Sequence, residues 1–185
     1  TCTNAKTCNK PDYVIDARGN RTDYTYDATH GGILTETKPA GPSGVRPQKR
    51  YSYTQLYAWI KNSGGSYVQA ATPVWMLTGT SECRTLASCV GTSDEIKTTI
   101  TYGTTGVANN LLPTVETVSS GDGALVSTTT RTYDFQGNLL TVDGPLAGTA
   151  DTTRYRYDAL RRVVGEIGPD PDGAGPLLHR ATRNT

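Results

Sequence analysis

Phenylalanine and methionine occur once each, tryptophan and histidine twice, and only 35% of the 185 residues are apolar. No apolar stretch approaches the roughly 20 residues that cross a bilayer as a helix; the longest is of the kind Val74-Trp75-Met76-Leu77. Membrane insertion is therefore not expected. Charge of one sign is also missing. Eighteen basic residues against 17 acidic ones leave a net charge of +1, so no bulk field draws nucleic acid or an anionic membrane surface. The length argues against two large domains, and its surface-to-volume ratio allows one domain with a real core or a run of short repeats.

What the chain does have is 31 Thr, 11 Tyr, 20 Gly and 10 Pro. Thr and Tyr favour pleated, half-exposed strands, and frequent Gly and Pro favour turns over helices. The expected class is all-β. The chain starts at Thr1 without Met or a leader, and ends just after Arg180-Ala181-Thr182-Arg183, which reads as the start of another strand. Both ends look cut, as in a fragment of a larger protein.

Four cysteines form two pairs of identical spacing, Cys2/Cys8 and Cys83/Cys89, each enclosing five residues rich in Thr, Ser and Ala. Even number and paired spacing suggest disulfides; free thiols and a metal site are the other readings. Zinc knuckles prefer shorter spacings, and neither His30 nor His179 is spaced like a ligand to either pair. Bridges this short stabilise by about 2–3 kcal/mol in the loop-entropy picture, so they would pin local loops, and they favour an oxidising compartment.

An internal repeat is visible. Tyr24-Thr25-Tyr26-Asp27, Tyr51-Ser52-Tyr53, Arg131-Thr132-Tyr133-Asp134 and Tyr155-Arg156-Tyr157-Asp158 recur. Their alternate residues share one face of a strand. Each Asp opens a turn: Asp134-Phe135-Gln136-Gly137-Asn138 leads into Leu139–Val142, and Asp158-Ala159-Leu160-Arg161-Arg162 into Val163–Ile167. Asp16-Ala17-Arg18-Gly19-Asn20 has the same form, and Asp27–Gly32 is a longer version before Ile33–Thr37. Asp and Asn satisfy local amides and Gly takes positive φ, as a tight reversal requires. Pro39, Gly144-Pro145 and Gly168-Pro169 end the second strands. The period from Asp134 to Asp158 is 24 residues.

Between 40 and 130 the pattern loosens. Tyr51/Tyr53 and Ile100/Tyr102 mark degenerate copies, and Leu111–Val118 reads as a strand. Tyr51–Ile60 and Tyr67–Leu77, joined by Asn62-Ser63-Gly64-Gly65, read as an extended hairpin arm, with a helical turn at Gln55–Ile60 as the alternative. The chain thus divides into hairpins with the Cys2/Cys8 loop (1–39), degenerate repeats with the arm and the Cys83/Cys89 loop (40–130), and two further repeats with the start of a next strand (131–185), all in one continuous array.

The pattern Tyr-x-Tyr-Asp-x-x-Gly-Asn/Arg-Leu/Val, with a Pro-ended second strand, resembles the tyrosine-aspartate (YD) repeats of RHS-family proteins. The resemblance covers 13–39 and 131–169 well and the middle weakly. In that family the repeats build antiparallel strands wound as a spiral sheet into a hollow shell, which encloses a toxin in bacterial polymorphic toxins; toxin complexes and teneurins have similar shells. The resemblance implies an antiparallel hairpin sheet forming part of an open shell or fibre wall, in a secreted or cell-surface bacterial protein. It also makes Tyr24, Tyr26, Asp27, Tyr133, Asp134, Gly137, Asn138, Tyr155, Tyr157 and Asp158 the signature positions. The family's shells end in an Asp-Pro-x-Gly segment linked to self-cleavage; Asp170-Pro171-Asp172-Gly173 shares those letters, but the residues after Gly173 lack the rest of the signature.

No catalytic site is expected. The candidate acids, Asp170 with Asp172 and Glu82 with Asp94 and Glu95, read as loop residues without an accompanying His or nucleophile motif. No cofactor or metal site is expected either, since a calcium loop starting at Asp170 would need Glu where Ala181 stands. His30 and His179 read as turn residues, the Arg154/Arg156 strand face as solvated, and Asn20-Arg21-Thr22 as a short glycosylation match. The repeat Asp reads as a turn cap and the repeat Tyr as sheet packing with a hydroxyl free to reach a polar partner. The expected role is a non-enzymatic scaffold whose strand edges add further copies of itself or the rest of a longer repeat chain. In the parent protein it would wall in a toxin domain. The alternative is an adhesion module in which Tyr57, Trp59, Tyr67 and Trp75 bind a surface glycan or a partner protein.

Overall fold

The structure, a computed structural model, describes residues 3–173 and 175–184. The described residues hold fourteen strands and no helix, so the all-β class stands. The strands are β1 (Tyr13–Ile15), β2 (Arg21–Tyr26), β3 (Ile33–Thr37), β4 (Gln48–Leu56), β5 (Trp59–Lys61), β6 (Tyr67–Gln69) and β7 (Val74–Cys83). The chain continues with β8 (Glu95–Tyr102), β9 (Pro113–Ser120), β10 (Val126–Tyr133), β11 (Leu139–Asp143), β12 (Thr153–Tyr157), β13 (Val163–Ile167) and β14 (Ala181–Arg183).

Twelve strands hydrogen-bond in one sheet, in the order β1-β2-β3-β4-β7-β8-β9-β10-β11-β12-β13-β14, while β5 and β6 pair separately. The order is linear, so the sheet is open and not closed as a barrel, and β1 and β14 are edge strands. β4 pairs with β7, and the chain between them forms the β5–β6 ribbon, with Trp59 opposite Gln69 and Lys61 opposite Tyr67. Gln55–Ile60 does not adopt the helical turn; β4 runs to Leu56 and β5 starts at Trp59.

The chain divides into two compact units. One comprises residues up to Gln55, Trp75–Thr99 and Val118–Val126; the other comprises Leu56–Val74, Ile100–Thr117 and the chain from Ser127 onward.

The repeat sets the strand register. In β2–β3, β10–β11 and β12–β13 the pairing slips by one residue at the same place, between Thr25 and Tyr26, Thr132 and Tyr133, and Arg156 and Tyr157. The extra residues on the partner strands are Leu34, Leu140 and Val164. Each bulge adds local twist just before the Asp turn. Threonine pairs rung across the ladder on the same strands: Thr25 Oγ1 lies 2.6 Å from Thr35 Oγ1, and Thr132 Oγ1 2.6 Å from Thr141 Oγ1.

One alternative that the length allowed is not realised, and one sequence expectation needs correction. The described residues have no conventional apolar core: the only buried hydrophobic residues among them are Cys83 and Cys89, and most strand positions are half-buried. A sheet with little packed over its faces leaves side chains of both faces partly wet, which suits Thr and Tyr and explains why so little Phe, Leu and Met is needed. Glu82 and Glu95 are not loop residues; they lie in β7 and at the first position of β8.

Candidate functional site

The features that recur are the Asp turns and the junctions between successive hairpins. At Asp134 the backbone closes by Asp134 N donating to Asn138 O (2.9 Å) and Gly137 N to Asp134 O (3.0 Å). Asp134 Oδ1 accepts from Gln136 N and Asn138 N, both at 2.9 Å, and Oδ2 accepts from Asn138 Nδ2 at 2.8 Å. The Asp16 turn repeats every one of these bonds with Arg18, Gly19 and Asn20. At Asp158 the amides of Leu160 and Arg162 take the same places, and Arg162 Nε replaces the Asn amide at 2.7 Å from Oδ2. The fourth turn position needs positive φ: Gly19 has +83° and Gly137 +85°, and Arg161 stands there at +64°.

These carboxylates are held ionised. The Asn20 side chain and amide lower Asp16 below its ordinary value of 3.8, and the Arg162 amide and side chain lower Asp158. Burial pushes Asp134 up, but the Asn138 and Gln136 donors outweigh it and its value is also lowered. In the longer turn the amides of His30 and Thr29 lower Asp27.

The second tyrosine of each repeat ties its strand to the strand before it. Tyr157 Oη donates to Leu139 O at 2.9 Å, Tyr133 Oη to Pro113 O at 2.9 Å and Tyr53 Oη to Ile33 O at 3.1 Å. The acceptors Leu139, Pro113 and Ile33 are the first residues of β11, β9 and β3. Tyr26 Oη makes the analogous bond to Pro11 O at 2.9 Å, just before β1. Burial raises the Tyr26, Tyr53 and Tyr133 hydroxyls above their ordinary value of 10.0. Tyr51 is pushed up to about 12, by burial first and then by Glu36, to which its hydroxyl bonds at 3.1 Å. Tyr24 stacks on Tyr26 at 6.4 Å, while Tyr155 lies half-buried in β12 opposite Glu166.

In the second unit adjacent turns are linked directly. Arg161 Nε donates to Asn138 Oδ1 at 2.9 Å, and Asn109 Nδ2 donates to Asp134 O at 2.8 Å. Among the described residues, Arg161 and Asn109 are the non-glycine residues of positive φ, and both reach the same neighbouring turn. Neither contact was foreseen from the sequence. Asn110, also unforeseen and 5% exposed, roots the ribbon: its Nδ2 donates to Tyr57 O at 2.8 Å and its Oδ1 accepts from Trp59 N at 3.0 Å.

The four candidate binding aromatics belong to different local settings. Tyr57 and Trp59 stand at the root of the ribbon, and Tyr67 lines a groove of about 460 Å³ with Val107, Tyr133 and Phe135. Trp75 belongs to the first unit, where it stacks on His30 at 4.5 Å, and His30 meets Tyr53 at 4.7 Å. His30 Nδ1 accepts from Gly32 N at 3.0 Å and its Nε2 lies 3.4 Å from Asp27 Oδ1, so this histidine braces its turn. His179 Nδ1 donates to Gly168 O at 2.9 Å in a loop. Of the Asp170–Gly173 segment, Asp172 Oδ2 accepts from Leu177 N at 3.1 Å.

Cys83 and Cys89 form a disulfide, as the spacing suggested. Of the other expected pair, Cys8 is disulfide-bonded and its Sγ lies 2.8 Å from Asn4 O, so it is not a free thiol. Cys2, the partner that the spacing assigns to Cys8, lies outside the described residues. The Cys2/Cys8 pairing therefore stands as a sequence expectation, unlike the Cys83–Cys89 bridge. Around that bridge, buried Glu95 accepts from Ser81 Oγ and from Gly91 N (2.8 Å), and these donors lower its carboxyl. Asp94 accepts from the amides of Thr85 and Leu86 at 3.0–3.2 Å. The three candidate acids of this region thus serve distinct structural bonds, with Glu82 paired to Lys38 and Lys49.

No family model matches the chain, and no curated protein matches it. Among solved structures, a chain in the crystal structure of TcdB2-TccC3-Cdc42 resembles it over 80% of its length at 17% identity and a TM-score of 0.42. This chain spans 7% of that one.

Proposed function

We propose that the chain is a non-enzymatic scaffold segment of RHS/YD-repeat type, one stretch of a β-sheet wall in a secreted or cell-surface protein that encloses a toxin domain. The observation that carries this reading is the recurrent pair of devices, the Asp-capped turn and the tyrosine bond to the preceding strand. The first makes each hairpin self-sufficient in its reversal; the second makes each hairpin depend on its neighbour, as stacked repeats do. The repeat Asp carboxylates are engaged by turn amides, Glu82 by Lys38 and Lys49, Asp94 by the Leu86 amide and Glu95 by Ser81 and the Gly91 amide. The Cys83–Cys89 bridge fits an oxidising compartment.

Excising one period tests the reading. Joining Asp134 to Ala159 removes 24 residues and leaves a complete Tyr-Asp-x-x-Arg-Arg turn. A wall loses one hairpin and keeps a β-type circular dichroism spectrum with cooperative melting. Loss of folded structure overturns the scaffold reading.

A second reading, an aromatic surface for a glycan, rests on Trp75, which is 40% exposed and backed by His30. Quenching of tryptophan emission by added sugars, lost in Trp75→Phe, supports it; emission insensitive to sugars rules it out.

A further inference from the structure

The geometry points to a head-to-tail interface between copies of this chain, in which β1 of one copy adds to the free side of β14 of the next. The inference rests on the scaffold reading and adds the partner, the edges and the register.

Each edge shows which backbone groups are free. On β1, Asp12 O accepts from Tyr24 N at 2.9 Å and Asp16 N donates to Asn20 O at 3.0 Å, so even-numbered residues turn toward β2. By the alternation of an antiparallel ladder, Tyr13 and Ile15 turn their N–H and C=O groups outward. On β14, Arg180 O accepts from Gly168 N at 2.8 Å and Asn184 N donates to Val164 O at 3.0 Å, so Ala181 and Arg183 face outward. Two outward residues on one edge match two on the other. Tyr13 then pairs with Arg183 and Ile15 with Ala181, each pair exchanging both backbone hydrogen bonds.

Charge selects this pairing. The same register sets Asp16 opposite Arg180, Asp12 opposite Asn184 and Val14 opposite Thr182. Pairing β1 with a second β1, Tyr13 opposite Ile15, would set Asp12 opposite Asp16, and like charges directly opposed destabilise a sheet. Pairing β14 with a second β14 sets Arg180 opposite Asn184 and gains no ion pair. β1, though short, carries no Pro, Lys or bulge, and Tyr13, Val14 and Ile15 are 48%, 48% and 55% exposed. Each bound copy leaves one β1 and one β14 free, so the contact is heterologous and adds copies head to tail.

The test is cross-linking of full-length chains carrying Val14→Cys or Thr182→Cys. That pair is the non-hydrogen-bonded one, with Cα atoms about 4.5 Å apart, within disulfide reach. Mixing the two variants is expected to give a Val14→Cys/Thr182→Cys heterodimer, while Val14→Cys alone gives none. Adding Ile15→Pro, which removes an outward N–H and no ladder bond, abolishes the link while the circular dichroism spectrum is kept. Arg180→Glu slows it by about fivefold. Absence of the heterodimer between folded chains, an equal yield of Val14→Cys homodimer, or a link that survives Ile15→Pro overturns the interface. If the one-period deletion unfolds while the link forms, the scaffold reading fails and the interface stands; the converse leaves a wall that does not add copies.

Discussion

Removing the four junction hydroxyls together, by Tyr26→Phe, Tyr53→Phe, Tyr133→Phe and Tyr157→Phe, isolates the contacts that join successive hairpins. Phenylalanine keeps the ring and its burial, so the loss is one hydroxyl-to-carbonyl bond per site. A bond of this kind contributes about 1 kcal/mol net. Pro11 is exposed and water replaces the Tyr26 donor readily, so that site contributes about 0.5 kcal/mol, whereas Ile33, Pro113 and Leu139 are half-buried and lose close to the full amount. The quadruple variant is therefore expected to lose about 3–4 kcal/mol, a large share of a typical stability of about 5–15 kcal/mol. Urea unfolding followed by circular dichroism measures it, with Tyr57→Phe as an exposed control that shifts the midpoint little. A quadruple loss below about 0.5 kcal/mol, the range of ordinary surface substitutions, would refute the claim that these bonds couple the repeats.

Acid should loosen the turns. Asp16, Asp27, Asp134 and Asp158 all have folded values below 3.8, so the folded chain binds fewer protons than the unfolded chain there, and the melting temperature is expected to fall as pH drops below about 4. Alkali acts with the opposite sign: Tyr51, near 12, and Tyr53 and Tyr133, above 10.0, contribute stability that is complete below pH 10 and lost as pH rises through their folded values, checked by tyrosine absorbance alongside melting. Opening the bridge with Cys83→Ser and Cys89→Ser should cost about 2 kcal/mol in thermal unfolding, the loop-closure entropy of so short a ring. In Gly32→Ala the new methyl would sit 2.6 Å from His30 Cε1 and 2.8 Å from Tyr53 Cζ, so a loss of about 1–3 kcal/mol and a red shift of Trp75 emission are expected.

The turns were legible because their chemistry is local: an Asp, a Gly three residues on and an Asn suffice to specify the loop at Asp16 and Asp134. Even the odd copy at Asp158 could be placed by spacing, although nothing in the letters says that Arg161 takes the glycine conformation, which its bond to the neighbouring Asn138 helps to hold. The tyrosines were legible as sheet residues but their acceptors were not, since those carbonyls lie 15–20 residues upstream and have no side-chain signal. Asn109 and Asn110 escaped for the same reason, as their partners are 25 to 53 residues away. The length allowed either one cored domain or a run of short repeats, and a physical point separates them. Chain length sets how much surface folding could bury, but hairpins that pair edge to edge bury it by halves.

Hydrogen exchange of the Tyr133→Phe chain, resolved by residue against the native chain, addresses the coupling of repeats most directly. The expected result is lower protection in β9 and β10, because the lost bond joins Tyr133 of β10 to the first residue of β9. Unchanged protection in β9 and β10 would contradict the account.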